Sequence, residues 1–207
     1  MKHWITSAVL AGCFLLLAFL LHISGLTALD QRVGDYFFSL RTDSWNQAIE
    51  AFSGLGTTKG YLAVFGIILI ISLIWKKWGQ AIWLTAALVA GWLLNKGLKV
   101  WFHRERPIHW ESLVEPDGYS FPSGNAMVSA AFYGLLALIL FSSKRTWVRV
   151  AGACVLLLIF LIGVSRLYLG VHFVTDIAGG LLAGGSIAFA CYAGWRSGKW
   201  ARRHNKQ

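Results

Sequence analysis

The sequence predicts an all-α polytopic membrane protein: a bundle of six transmembrane helices, with short amphipathic helices between spans one and two. Three observations carry this. Hydrophobic residues make up 57% of the 207 positions, whereas soluble domains sit at roughly 45–50% by a broader count that includes glycine. Six apolar runs approach the ~20 residues that cross a bilayer. The basic residues gather in short connectors between those runs. Six such spans consume most of the chain, so residues 1–207 are expected to form one membrane-embedded domain with no separate soluble unit.

The first span is expected at about 4–26. A secretory signal competes for it, because Lys2 precedes an apolar core. The run is long for a signal, however, and cleavage after Ala28 would put Leu26 where a small residue is required. An uncleaved span fits better. In 27–60, Leu29, Val33, Phe37 and Leu40 recur at helical spacing, as do Trp45, Ile49 and Phe52. These predict short amphipathic helices on the membrane surface. Asp43 or Ser44 is placed to cap the second of them and Gly54 to end it. Further spans are expected at 61–75, 81–102, 124–141, 148–169 and 172–195. They are joined by "KKWGQ", the long stretch 103–123, "SSKRTW" and a tight turn near Gly170. Residues 196–207 form a basic tail.

Charge gives the orientation. Lys2, Lys76, Lys77, Lys144, Arg145, Arg149, Arg196, Lys199, Arg202, Arg203 and Lys206 share one side, without an acid among them. All nine acids fall on the other side. The positive-inside rule then puts both termini in the cytoplasm and turns 27–60, 103–123 and the Gly170 turn outward. Trp4, Trp75, Trp78, Trp147, Trp195 and Trp200 mark the inner boundary; Trp45, Trp101 and Trp110 mark the outer.

Two other classes are excluded on these grounds. The net charge of +10 invites a polyanion partner, but the cations are spread over short interspan loops, so no nucleic-acid partner is expected. Cys13, Cys154 and Cys191 lie in apolar runs, are odd in number and lack zinc-type spacing. They read as small buried hydrophobes.

The chemistry concentrates on the predicted outer face. Lys96, Lys99, Arg104, Arg106 and Arg166 crowd the outer ends of spans three and five and the long loop. A lone cation at a span end is an ordinary snorkelling anchor; several on one rim are functional suspects. Three clusters stand out. The first is "KVWFHRERP", in which Lys99 is a point charge and Arg106 a planar fork suited to phosphate oxygens. The second is "FPSGNA". The amides of Ser123 and Gly124 open a helix, where free N–H groups and the helix dipole favour an anion. The third is "SRLYLGVHFVTD", in which Arg166 ends span five. His172 and Asp176 there are four apart and share one face of the start of span six. A carboxylate one turn away can fix an imidazole in one tautomer and leave its other nitrogen free to attack.

Each cluster also has a plain reading. His172 and Asp176 could be an ordinary helix pair, or two metal ligands at i and i+4, although no third ligand stands at a regular spacing. Pro-Ser-Gly is a common helix start, and 103–123 could be a solvated connector. All three falling together on one rim favours a site.

With these motifs in register, the sequence resembles the type 2 phosphatidic acid phosphatase superfamily of membrane lipid phosphatases, nearest to the small bacterial branch around phosphatidylglycerophosphate phosphatase B. Lys99, Arg106 and Pro107 match the family's Lys-x6-Arg-Pro. Pro122, Ser123 and Gly124 match Pro-Ser-Gly-His, which fails at Asn125. Ser165, Arg166, His172 and Asp176 match Ser-Arg-x5-His-x3-Asp. The resemblance covers essentially the whole chain. It implies that His172 attacks phosphorus and forms a phosphohistidine while Asp176 orients it. It implies that Lys99, Arg106, Arg166 and the Ser123 and Gly124 amides hold the phosphoryl oxygens. It implies no metal or other cofactor, and no obligatory protein partner. The partners implied are membrane lipids and a substrate that is a lipid phosphate or isoprenyl pyrophosphate: undecaprenyl pyrophosphate, phosphatidylglycerol phosphate or phosphatidic acid.

Asn125 stands where the resemblance implies a histidine that protonates the leaving oxygen. An amide can hydrogen-bond phosphate but cannot transfer a proton, and losing a general acid costs ~10²–10⁴ in rate. A deliberate substitution and natural divergence both give such a residue, and His103 or His109 of the adjoining loop could supply an acid. A phosphate-lipid binding or transport protein without turnover is the alternative, and a structural protein gripping anionic head groups a third reading.

Overall fold

The computed structural model describes residues 1–21 and 23–197. The tail positions Lys199, Trp200, Arg202, Arg203 and Lys206 lie outside the described residues. Within them the chain is helices and loops only. The helices are α1 (Lys2–Leu20), α2 (Ser24–Ser39), α3 (Asp43–Ser53), a 3-10 turn (Gly54–Gly56), α4 (Thr58–Ile74), α5 (Trp78–Phe102), α6 (Gly124–Phe141), α7 (Thr146–Tyr168) and α8 (Val174–Ser197).

Helices α1, α5, α6, α7 and α8 are long and apolar enough to cross a membrane. α4 has 17 residues, about 26 Å at 1.5 Å per residue, short of the ~30 Å hydrocarbon core. With α3 it forms a pair bent by 56° that together meets the length and composition of a sixth crossing. The expected second span falls on α4, which reaches the length of a crossing only together with α3 across this bend. The expected first span, 4–26, is also corrected. α1 ends at Leu20 and α2 begins at Ser24, so Leu26 belongs to α2 and does not extend the first span. The N-cap of α3 is Thr42, whose side chain accepts from the Trp45 amide, and not Asp43 or Ser44.

α6 is the central helix, packed by α5, α7 and α8, with α1 on the outside of α8. The α6–α8 seam is parallel and close because α8 offers glycines there. A Cβ on Gly180 would stand 2.7 Å from the Ser123 carbonyl, and one on Gly184 would overlap the Met127 carbonyl. Small residues let membrane helices approach to backbone contact, where packing drives association. α5 runs antiparallel to α6, with Gly91 against Ala131 and Asn95 against Met127. These registers bring the start of α6, the start of α8 and the ends of α5 and α7 to one end of the bundle. α2 and α3 cover that end by packing on α7 and α8.

Two side-chain expectations change. Trp195 and Trp110 are buried, while Trp4, Trp45, Trp75, Trp78, Trp101 and Trp147 are exposed as an aromatic belt requires. Trp110 instead lies across Gly34 of α2 and donates to Asp35 Oδ1 at 2.9 Å, tying the 103–123 loop down. Of the cysteines only Cys191 is buried; Cys13 and Cys154 are exposed on the sides of α1 and α7.

Candidate active site

His172 lies in the turn between α7 and α8, two residues before α8 begins, and is 4% exposed. Its Nδ1 stands 3.4 Å from Asp176 Oδ2 and 3.4 Å from Ser120 Oγ; its Nε2 stands 3.4 Å from Arg106 Nη1. Arginine only donates, so this contact requires a lone pair on Nε2 and the proton on Nδ1. That is the tautomer in which Nε2 can attack. Burial pushes the imidazole down to about 4, against the opposite pull of Asp176, so the ring is neutral at ordinary pH.

Asp176, in the first turn of α8, is fully buried. Its Oδ2 accepts from Ser120 Oγ at 2.5 Å and from the Phe173 amide at 2.8 Å. Its Oδ1 accepts from Arg104 at 2.6 Å. The carboxylate is therefore held on both oxygens, and the bond to the Phe173 amide pins the turn that carries His172.

The cations come from three elements. Arg106 of the loop is held by the carbonyls of Asp117, Gly118 and Val171. Burial works against its charge, and Asp176 and Asp117 offset part of that. Lys99 at the end of α5 donates to the carbonyls of Tyr119, at 2.6 Å, and Asp117, at 3.3 Å. Arg166 at the end of α7 is 9% exposed and donates from Nη1 to Ser53 Oγ at 2.7 Å. Among the described residues, none of the three has a carboxylate within salt-bridge distance. Lys96 does not join them; its ammonium lies 5.0 Å from the Trp92 ring centroid.

The Pro-Ser-Gly turn is built by a neighbour. Asn95 of α5 donates to the Pro122 carbonyl at 3.0 Å, and Gly124 fits against its side chain. The Ser123 amide donates to the Asp176 carbonyl at 3.0 Å, so it serves the fold and is not free for an anion. The Ser123 hydroxyl is buried and unpartnered, as are Asn125 Nδ2 and Arg166 Nε. Such donors are costly when buried alone, and three on one site provide oxygen-binding capacity beside the first-turn amides of α6. Asn125 itself is pinned through its carbonyl, which accepts from Tyr61 Oη at 2.7 Å and Ser129 Oγ at 2.5 Å. His103 is exposed, packed against Tyr119, and His109 is exposed beside Trp110.

The structure thus brings Lys99, Arg106, Ser123, Gly124, Asn125, Arg166, His172 and Asp176 to one end of the bundle. It adds Ser53, Asn95, Arg104 and Ser120, which sequence reasoning did not assign to the site. Arg104 alone carried a signal, as a third cation inside the Lys99–Arg106 stretch.

Fold and site together define a helical membrane protein with a buried histidine–aspartate pair facing cations that, among the described residues, lack carboxylate partners. The PAP2 superfamily model matches residues 80–199, and the chain belongs to that family. It is 32% identical over 177 residues to phosphatidylglycerophosphatase B of Bacillus subtilis, covering 83% of this chain and 85% of that protein. It is 36% identical over 75 residues to an undecaprenyl-diphosphatase of Sulfolobus acidocaldarius, covering 36% of this chain and 33% of that one. The crystal structure of a transmembrane PAP2-type phosphatidylglycerolphosphate phosphatase from Bacillus subtilis superposes with a TM-score of 0.82 at 29% identity, over 91% of this chain and 94% of that one. That of Aquifex aeolicus LpxE superposes with a TM-score of 0.65 at 26% identity, over 79% and 94%.

Proposed function

We propose that this chain is a metal-independent lipid-phosphate phosphatase working through a phosphohistidine at the outer leaflet. The observation that carries the reading is the neutral His172, its Nδ1 toward Asp176 and its Nε2 toward Arg106, in a site where Lys99, Arg106 and Arg166 lack carboxylate partners among the described residues. A phosphate monoester placed among those cations puts phosphorus within reach of Nε2. Nε2 forms a bond to phosphorus as the bond to the leaving oxygen breaks. Asp176 balances the charge that develops on the imidazole. Lys99, Arg106, Arg166, the Ser123 hydroxyl and the first-turn amides of α6 hold the phosphoryl oxygens; this positive lining supplies the charge stabilisation that phosphoryl transfer demands. Water then attacks phosphorus as the P–Nε2 bond breaks, freeing phosphate and neutral His172; the proton that water gives up balances the one the departing lipid oxygen takes from solvent.

The substrate class follows from the relatives and the setting: phosphatidylglycerol phosphate, undecaprenyl pyrophosphate or phosphatidic acid. The charge asymmetry of the loops favours both termini inside and the site outside. Asn125 occupies the leaving-group position, binds a phosphate oxygen through Nδ2 and gives up no proton, so this chain binds its substrate better than it turns it over. That favours a second reading, a phosphate-lipid binding protein without turnover.

Phosphate release by purified protein separates the two. Asn125→His is expected to raise turnover of these lipids about 10²–10⁴-fold, and His172→Ala in that background to abolish it. Tight lipid-phosphate binding with no gain from Asn125→His would favour the binding protein; activity that survives His172→Ala would overturn the mechanism.

A further inference from the structure

We propose that Arg104 and Asp30 are positioning residues for the nucleophile: with Asp176 they form a charge triad, its two carboxylates buried, that fixes the carboxylate behind His172. The inference rests on the reading of His172 as nucleophile.

Arg104 reaches Asp176 Oδ1 with Nη1, at 2.6 Å, and Asp30 Oδ2 with Nη2, at 2.7 Å. The side chains of Asp30 and Asp176 are 2% and 0% exposed, and that of Arg104 is 19% exposed. Thr175 closes the ring. It accepts from Arg104 Nη1 at 2.7 Å, and its own amide and hydroxyl donate to Asp30 at 3.0 and 2.7 Å. The Arg104 guanidinium also lies over the Phe173 ring, 4.5 Å from its centroid. Phe173 and Thr175, which lie between His172 and Asp176, thus both rest on this network.

The arrangement solves an electrostatic problem. Two buried carboxylates close together are costly unless a cation pairs with them. A planar guanidinium between them, with one fork arm to each, pairs with both and fixes both at defined angles. It also divides the work of Asp176. Oδ1 belongs to Arg104, and Oδ2 is left for Ser120, the Phe173 amide and His172. A carboxylate bonded on both sides cannot rotate, so the imidazole it faces keeps one orientation.

The triad separates Arg104 from the other cations of the rim. Its guanidinium is paired with two carboxylates, whereas Lys99, Arg106 and Arg166 have no carboxylate partner among the described residues. Arg104 should therefore govern the rate of attack and leave anion binding alone. Asp30 extends the same role to α2, which is otherwise a helix covering the site.

The test uses p-nitrophenyl phosphate with the chain as it stands. In the first step Nε2 bonds to phosphorus, the P–O(aryl) bond breaks, and p-nitrophenolate departs with the electron pair. This leaving group needs no proton, so Asn125 does not mask the step. The Nδ1 proton stays with the ring, facing Asp176. A burst of p-nitrophenolate reads this step, and titration with inorganic phosphate reads binding. Arg104→Met is expected to slow the burst about 10²-fold, the cost of a misplaced reacting group, with phosphate affinity unchanged. Arg104→Lys keeps the charge and loses the fork, so it should recover part of the burst. Asp30→Asn should give a smaller loss in the same direction. An unchanged burst in Arg104→Met overturns the proposal. So does a joint loss of burst and phosphate binding that Arg104→Lys fails to recover, since that marks a merely structural residue. Failure of the nucleophile reading looks different: the burst survives His172→Ala, and the triad's role falls with it.

Discussion

At the scale of single residues, His172 shows why burial matters as much as identity. Its charged form is opposed by desolvation, so its folded value, about 4, lies below the ordinary 6.5. Protonation therefore favours the unfolded chain. Stability that depends on neutral His172 is complete above pH 6.5, is lost as pH falls through that value, and levels off below about 4. The measurement is the thermal midpoint in detergent, at steps from pH 8 to pH 4, for this chain and for His172→Gln. The midpoint of this chain should fall more steeply between pH 6.5 and pH 4; parallel curves would mean that His172 titrates like an exposed imidazole. The residues of the three motifs were legible because each motif is local and its chemistry is explicit. Ser53 and Asn95 were not, because their partners Arg166 and Pro122 lie 113 and 27 positions away. Nothing in a serine or asparagine announces a distant acceptor or donor. The Ser123 amide was misjudged for the same reason: its acceptor, the Asp176 carbonyl, is set by the α6–α8 register.

At the scale of elements, α2 is where sequence reading fell shortest. Its apolar positions do repeat at helical spacing, but Val33 and Phe37 pack against the core formed by Ala126, Leu167 and Ile177. An amphipathic pattern reports that one face is apolar and not whether lipid or protein covers it. The same ambiguity moved the end of span one, because Leu21, Ile23 and Leu26 suit a span and a docking turn equally. Gly34 tests how α2 is held. A Cβ there would overlap the Trp110 ring, whereas a Cβ on Gly25, in the same helix, meets nothing within 4 Å. Gly34→Ala should displace Trp110, break its bond to Asp35 and loosen the loop that carries Arg104 and Arg106. Overpacking of this kind costs about 1–3 kcal/mol, so a lower thermal midpoint and a slower p-nitrophenolate burst are expected together. Gly25→Ala should match or exceed the parent in stability, alanine being the better helix former. Equal behaviour of the two variants would show that the Trp110 clasp is not what holds the loop.

At the scale of the whole molecule, the fold class was readable because bilayer thickness and backbone satisfaction leave few options to a chain this apolar. The break between α3 and α4 was not, since a 56° bend depends on how the Gly54–Gly56 turn meets its neighbours. Gly56 sits against Ile162 and Asn125, contacts that exist only once the bundle forms. Orientation has the largest consequence for function, because it decides which leaflet supplies the substrate. The acids and the site share one end of the bundle, and Lys76, Lys77, Lys144 and Arg145 share the other; this asymmetry, read by the positive-inside rule, is what supports the proposed outward-facing site. Single cysteines test this in intact cells, with Cys13, Cys154 and Cys191 changed to alanine. Ile108 in the long loop is 86% exposed, and Ser142 is exposed at the turn between α6 and α7. A membrane-impermeant thiol reagent should label Ile108→Cys from outside and reach Ser142→Cys only after the cells are opened. The reverse pattern would turn the molecule over, place the cations of the site in the cytoplasm and remove the outer-leaflet lipids from its reach.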